Sequence, residues 1–225
     1  QKVKPLEPHL LDTPSLALPQ AVNAMAEMAD AAWSLAVDAL EGAKHGKVRD
    51  REDLMTREAL IDDTQHDIIQ YLAQLTQREL NEAEASLVPL IIHCVNDAER
   101  IGDLAVNLVE LADQLADGKE MLSEEAIGEL DHLAAIIGEQ EHLAHAALGL
   151  NGRHAAAEAL KLEGEVNRLT LEFEKKHIQR LEKQKCSVRC GIVYTELLRN
   201  LERVADHLAN IAERAHEISE VQAGV

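Results

Sequence analysis

The sequence predicts an all-α protein built as two tandem three-helix bundles related by internal duplication. Three observations lead there. The aromatic residues are only Trp33, Tyr71, Phe173 and Tyr194, and there are just 11 Gly and 5 Pro in 225 residues, whereas sheets favour aromatic and β-branched side chains. Apolar residues recur in long runs at alternating spacings of four and three, the period of one helix face. Finally, Glu99-Arg100-Ile101-Gly102-Asp103 returns 103 residues later as Glu202-Arg203-Val204-Ala205-Asp206, and Asn107 and Glu110 are matched by Asn210 and Glu213.

The elements follow in order. Pro5, Pro8, Pro14 and Pro19 crowd the start of the chain, and proline cannot continue a helix beyond its first turn, so residues 1–13 read as an extended lead-in. Thr13-Pro14 pairs a capping residue with proline at the first helical position and opens helix one, which runs to Gly42. Helix two is expected from about Val48 to Gln77, with a seam of Leu54, Ile61, Ile68, Leu72 and Leu75. Helix three spans Asn81 to Asp117 and stops at Gly118. Its seam, Leu87, Ile91, Cys94, Ala98, Ile101, Ala105, Leu108, Ala112 and Leu115, is unbroken. Helix four starts at Ser123, where Glu124 and Glu125 complement the positive end, and Asn151-Gly152 closes it. Helix five continues to about Lys185. Helix six runs from Ser187 to the end, with Cys190, Tyr194, Leu197, Leu201, Val204, Leu208, Ile211, Ala215 and Ile218 on its seam. Residues 14–118 therefore form the first bundle and residues 119–225 the second, meeting near Gly118.

Charge narrows the function. With 22 basic against 41 acidic side chains the net charge is −19, which repels a phosphate backbone and excludes nucleic acid as a partner. Three cysteines, Cys94, Cys186 and Cys190, are odd in number and lack zinc-knuckle spacing, which argues against a disulfide framework or structural zinc and for a reducing cytoplasm. No apolar run approaches the roughly 18 residues that cross a bilayer. The chain starts at Gln1 without a signal segment and reads as part of something longer.

Glu99 with Asp103, and Glu202 with Asp206, stand four apart, which puts each pair on one helix face about 6 Å apart along the axis. Chance alone supplies about seven acid pairs at this spacing in so acidic a chain; recurrence at equivalent places in both halves sets these two aside. Helix two adds Glu58 and Asp62, and the second half offers Glu163 and Asn167 in the corresponding region. Four oxygen-bearing side chains on two neighbouring helices suit Mg²⁺, Ca²⁺, Mn²⁺ or iron rather than zinc. Arg100 and Arg203 offer the other reading, simple neutralisation of the acids. Glu139/His142, Glu174/His177 and Glu213/His216 have the spacing used by inward-facing di-iron carboxylate enzymes, but Glu139, His142 and Glu174 fall away from their helices' apolar seams. The one basic cluster, Lys175, Lys176, Arg180, Lys183, Lys185 and Arg189, reads either as a solvated helix end or as a surface for anionic lipid or an acidic partner. No Gly-rich phosphate loop, Ser-His-Asp arrangement or nucleophile elbow occurs, so no catalytic site is expected.

The twice-repeated Glu-Arg-x-x-Asp with its downstream Asn, on the third helix of each half, resembles the PhoU family of phosphate-uptake regulators. The stretch Leu10-Leu11-Asp12-Thr13-Pro14-Ser15-Leu16-Ala17-Leu18, followed by Gln20-Ala21 and Met25-Ala26-Glu27-Met28, is similar to the junction after the membrane region of bacterial Na/Pi cotransporter family proteins, which carry a PhoU-like cytoplasmic domain. The resemblance implies a regulator that is not an enzyme and that binds divalent or iron ions (Fe, Mn, Mg or Ca) on surface patches. Carried over by position, the ligands are Glu99, Asp103, Glu202 and Asp206, with Glu58, Asp62 and Glu163 from the neighbouring helices and no organic cofactor. Asn167, standing where the first half has Asp62, is a poorer ligand. The expected main function is the cytosolic regulatory domain of a sodium-dependent phosphate transporter, at the cytoplasmic face of the membrane. Its expected partners are a transmembrane transporter region of the same polypeptide, a second copy in a homodimer, and the membrane surface. A stand-alone phosphate-uptake adaptor is the first alternative and a di-iron oxidative enzyme the second.

Overall fold

A computed structural model describes residues 6–183 and 186–224. Six helices carry the fold: α1 (Pro14–Lys44), α2 (Arg51–Leu75), α3 (Glu82–Gly118), α4 (Glu124–Ala146), α5 (Gly152–Glu182) and α6 (Val188–Ala223). The starts obey cap chemistry. Asn81 and Glu84 form a reciprocal capping box on α3, and Ser123 and Ser187 each accept the N3 amide of the helix they open. At the end of α3 the left-handed position falls on Lys119, φ 52°, one residue beyond Gly118.

Three boundaries differ from expectation. The lead-in is not extended throughout: Pro8–Asp12 is a 3-10 turn, since proline is as well suited to the first turn of that helix. It is fastened to the bundle by Leu11, which is buried, and by the Tyr71 hydroxyl, which donates to the Glu7 carbonyl and to Gln20 Oε1, both at 3.2 Å. Pro5 lies outside the described residues. α2 starts at Arg51 because Asp50 accepts the Asp53 amide there. Asn151-Gly152 does not close α4, which ends at Ala146; Gly152 instead opens α5. A Cβ on Gly152 would lie 2.3 Å from the Ala147 carbonyl oxygen, so the tight turn between the helices admits only glycine.

α1, α2 and α3 pack on one another, as do α4, α5 and α6, and α3 lies along α6 while α1 touches α4. The halves thus meet along the length of their third helices rather than only near Gly118. Every seam residue anticipated for α2, α3 and α6 is buried, in one continuous aliphatic core. The Glu-x-x-His strings do not converge on this interior. Glu139 and His142 are exposed, Glu213 is exposed, and His177, the buried member of these strings, packs its ring on Tyr194 at a centroid distance of 4.9 Å.

The α3–α6 seam carries polar pairs in a pseudo-twofold arrangement. Asp97 accepts from His207 Nδ1 at 2.8 Å and from Asn210 and Arg214 at 3.4 Å. Its repeat counterpart Asn200 faces Asn107, the counterpart of Asn210, also at 3.4 Å. One side of the seam is charged and the other neutral.

The basic tip differs from its reading. Arg180 is buried in a bidentate pair with Glu129, whose carboxylate also accepts from the Tyr194 hydroxyl. Lys185 lies outside the described residues.

Candidate metal centre

Glu58 and Asp62 sit one turn apart on α2, Glu99 and Asp103 one turn apart on α3, and the two helices are drawn close at a small residue. Gly102 faces Ile61, whose Cγ2 would lie 3.4 Å from a Cβ at that position. A larger side chain would push α2 away. Gln65 Nε2 donates to Asn96 Oδ1 at 3.1 Å and adds a second tie. The approach brings one carboxylate oxygen each from Glu58, Asp62 and Asp103 within 4.8 Å of one another. Glu99 completes the patch beside Asp103.

The electrostatics are dominated by burial and by the mutual repulsion of the acids. Burial, then Asp62 and Asp103, raise the pKa of Glu58 above the usual glutamate value. Asp62 is raised by burial, Asp103 and Asp63. Glu99 is raised by burial, Asp103 and Asp62, with Arg100 opposing weakly. Among the described residues neither Arg100 nor Arg203 makes a hydrogen bond or ion pair, but Arg100 acts through space to lower Glu99 and Arg203 to lower Asp206, so the neutralisation reading keeps a long-range form. Oxygen-only donors at this spacing fit a hard cation, whose charge would remove the repulsion.

The second half places Glu163 and Asn167 on α5 against Glu202 and Asp206 on α6 without the same convergence. Asn167 Nδ2 donates to Glu163 Oε1, which engages a carboxylate that its counterpart Asp62 would only repel. Burial and Asp206, then Glu174, raise Glu202; burial and Glu163 raise Asp206. Among the described residues Glu163, Glu202 and Asp206 do not come within the mutual distance seen in the first half. Sequence reasoning missed Glu174 as a member of this patch and missed Gly102 as the spacer of the first. The small residue recurring between the acids, Gly102 and Ala205, is the signal that marks the second of these.

The fold and the patch define the class: a duplicated all-helical bundle with carboxylates on the outer faces of its paired helices. The PhoU domain family matches residues 22–112 and 130–215, and the chain belongs to that family. Its members are regulators, not enzymes. The phosphate-specific transport system accessory protein PhoU homolog of Deinococcus radiodurans is 25% identical over 131 residues, 57% of this chain and 59% of that protein. The putative inorganic phosphate export protein YjbB of Salmonella typhimurium is 24% identical over 94% of this chain but only 39% of its own length. The chain thus spans about three-fifths and two-fifths of these relatives. The crystal structure of PhoU from Pseudomonas aeruginosa superposes with a TM-score of 0.77 at 20% identity, covering 92% of this chain and 98% of that one. The phosphate transport system regulatory protein PhoU from Streptococcus pneumoniae gives 0.75 at 20% identity, with 95% and 98% covered. These two establish the fold. Among the described residues no helix is long and apolar enough to cross a membrane.

Proposed function

We propose that the chain is a PhoU-type adaptor that modulates phosphate transport and takes a divalent or iron ion on the patch formed by Glu58, Asp62, Glu99 and Asp103. The observation carrying the metal reading is the meeting of three carboxylate oxygens from two helices within 4.8 Å. A cation there would bridge α2 to α3 and make their packing depend on ion supply. Glu163, Glu202 and Asp206 form a second, weaker site, because Asn167 withholds the charge that Asp62 supplies.

The relatives named for phosphate transport support the adaptor reading, and PhoU chains matched over 98% of their own length favour it over a transporter-fused domain. The fused reading draws on the Salmonella export protein, where nearly all of this chain corresponds to 39% of a longer polypeptide. Under either reading the domain works at the cytoplasmic face of the membrane, beside a transporter. The complete reading frame separates them: membrane-spanning helices upstream of Gln1 select the fused form. Elemental analysis of protein purified without chelator, beside the Glu99→Ala/Asp103→Ala variant, tests the metal. The variant is expected to lose at least half of the bound ion; equal content in both excludes the patch.

A further inference from the structure

The groove of about 270 Å³ between α3 and α6 brings Arg100 and Arg203 together with Asn107, Glu58 and Asp103. The two arginines occupy the same position in the two repeats, yet they line a single groove, because α3 and α6 pack face to face. Neither guanidinium has a hydrogen-bond or ion-pair partner among the described residues, in a chain with 41 acidic side chains. The reason lies in the unequal seam. On its other side Asp97 engages His207 and Arg214, which stand where the first half has Leu104 and Leu111. On the groove side Asn200 replaces the aspartate and faces Asn107, so the acids that share the groove with the arginines are Glu58 and Asp103, neither of them hydrogen-bonded to a guanidinium. Two planar forks of donors line a common opening of several times the volume of a small ion.

We propose that this groove binds a tetrahedral oxyanion of the phosphate class between the guanidiniums of Arg100 and Arg203. Guanidinium forks match such oxygens two at a time, and Asn107, whose amide also donates to Asn200, lines the groove beside them. Glu58 and Asp103 belong both to this groove and to the carboxylate patch, so the two ligands are linked. With the acids ionised and unbridged, their negative charges oppose the anion. A cation on the patch reverses that balance, and by reciprocity the anion strengthens the cation's hold. This linkage, though not the groove itself, rests on the metal reading above.

Equilibrium dialysis of the intact chain against inorganic phosphate tests it, with chelator or with 1 mM Mg²⁺ as the added ion (about 1 mM being the range of ordinary cation sites). Phosphate is expected to bind at least tenfold more tightly with Mg²⁺. Arg100→Gln/Arg203→Gln, a change at two exposed positions, is expected to weaken phosphate at least tenfold while Mg²⁺ binding measured without phosphate persists. Phosphate binding unchanged in that variant, or absent from the native chain in both conditions, overturns the groove. Binding that needs the arginines but ignores Mg²⁺ supports the groove and tells against the cation patch instead. Phenyl phosphate in a parallel arm identifies the source: retention of inorganic phosphate alone points to the free ion, and equal retention of both points to a phosphoryl group on a larger molecule.

Discussion

Glu141 on α4 is 8% exposed and lies against Asp30 of α1, at the second contact between the halves. Burial first, then a hydrogen bond and repulsion from Asp30, push its carboxyl up to about 7 from an ordinary 4.5, with His145 opposing. The folded chain therefore keeps a proton that the unfolded chain gives up. The stabilisation this provides is complete below about pH 4.5 and is lost as the pH climbs through 7. At 1.36 kcal/mol per tenfold change in proton affinity, the loss across that window reaches about 3 kcal/mol. Glu141→Gln keeps a donor toward Asp30 at every pH and removes the titration. Urea unfolding of both proteins at pH 5, 6, 7 and 8 is expected to show the variant gaining on the native chain by about 1–3 kcal/mol between the ends of that series, with most of the change between pH 5 and 7. Stability curves that run parallel over the whole series would refute the reasoning, since every other titrating group is common to both proteins.

Other perturbations test other layers. Glu129→Ala leaves the Tyr194 hydroxyl without its acceptor and Arg180 with only the exposed Glu125, and a loss of about 3 kcal/mol is expected from urea midpoints; replacing Glu129 and Arg180 together by methionine should recover most of it. Gly152→Ala sets a methyl against the Ala147 carbonyl and should cost at least about 1–3 kcal/mol, seen as a lowered melting temperature. Mg²⁺ at 100 times its dissociation constant should raise the native chain's stability by about 2.7 kcal/mol. In Glu58→Gln/Asp62→Asn that gain should disappear, and calorimetry would show the same melting temperature with and without the ion.

Helix number, order and most seams are legible because a 3.6-residue period survives from Leu87 to Leu115 and from Cys190 to Ile218. What escapes is whatever depends on a neighbour. Asn151-Gly152 looks like a stop signal, and only the proximity of the Ala147 carbonyl turns Gly152 into a start. Arg180 looks like part of a solvated basic tip, yet it continues the Val166, Phe173, His177 stripe and so must face inward, where Glu129 receives it. The carboxylate patch is readable to the level of which helices contribute. Its closeness is not, because that is set by Gly102 meeting Ile61, a contact between residues on separate helices. The failure of the second half to match has a local sign, Asn167 for Asp62, but the groove between Arg100 and Arg203 has none, since the repeat places them far apart along the chain.

The lopsided α3–α6 seam also governs which halves can marry. Two first halves from separate molecules, docked as α3 docks on α6, would set each Asp97 opposite Asn107 with leucines in place of His207 and Arg214. Both aspartates would then sit shielded from water without a cation, a penalty levied twice. Pairing of like halves is thereby disfavoured against pairing of unlike ones, and divergence after duplication makes each first half selective for a second half.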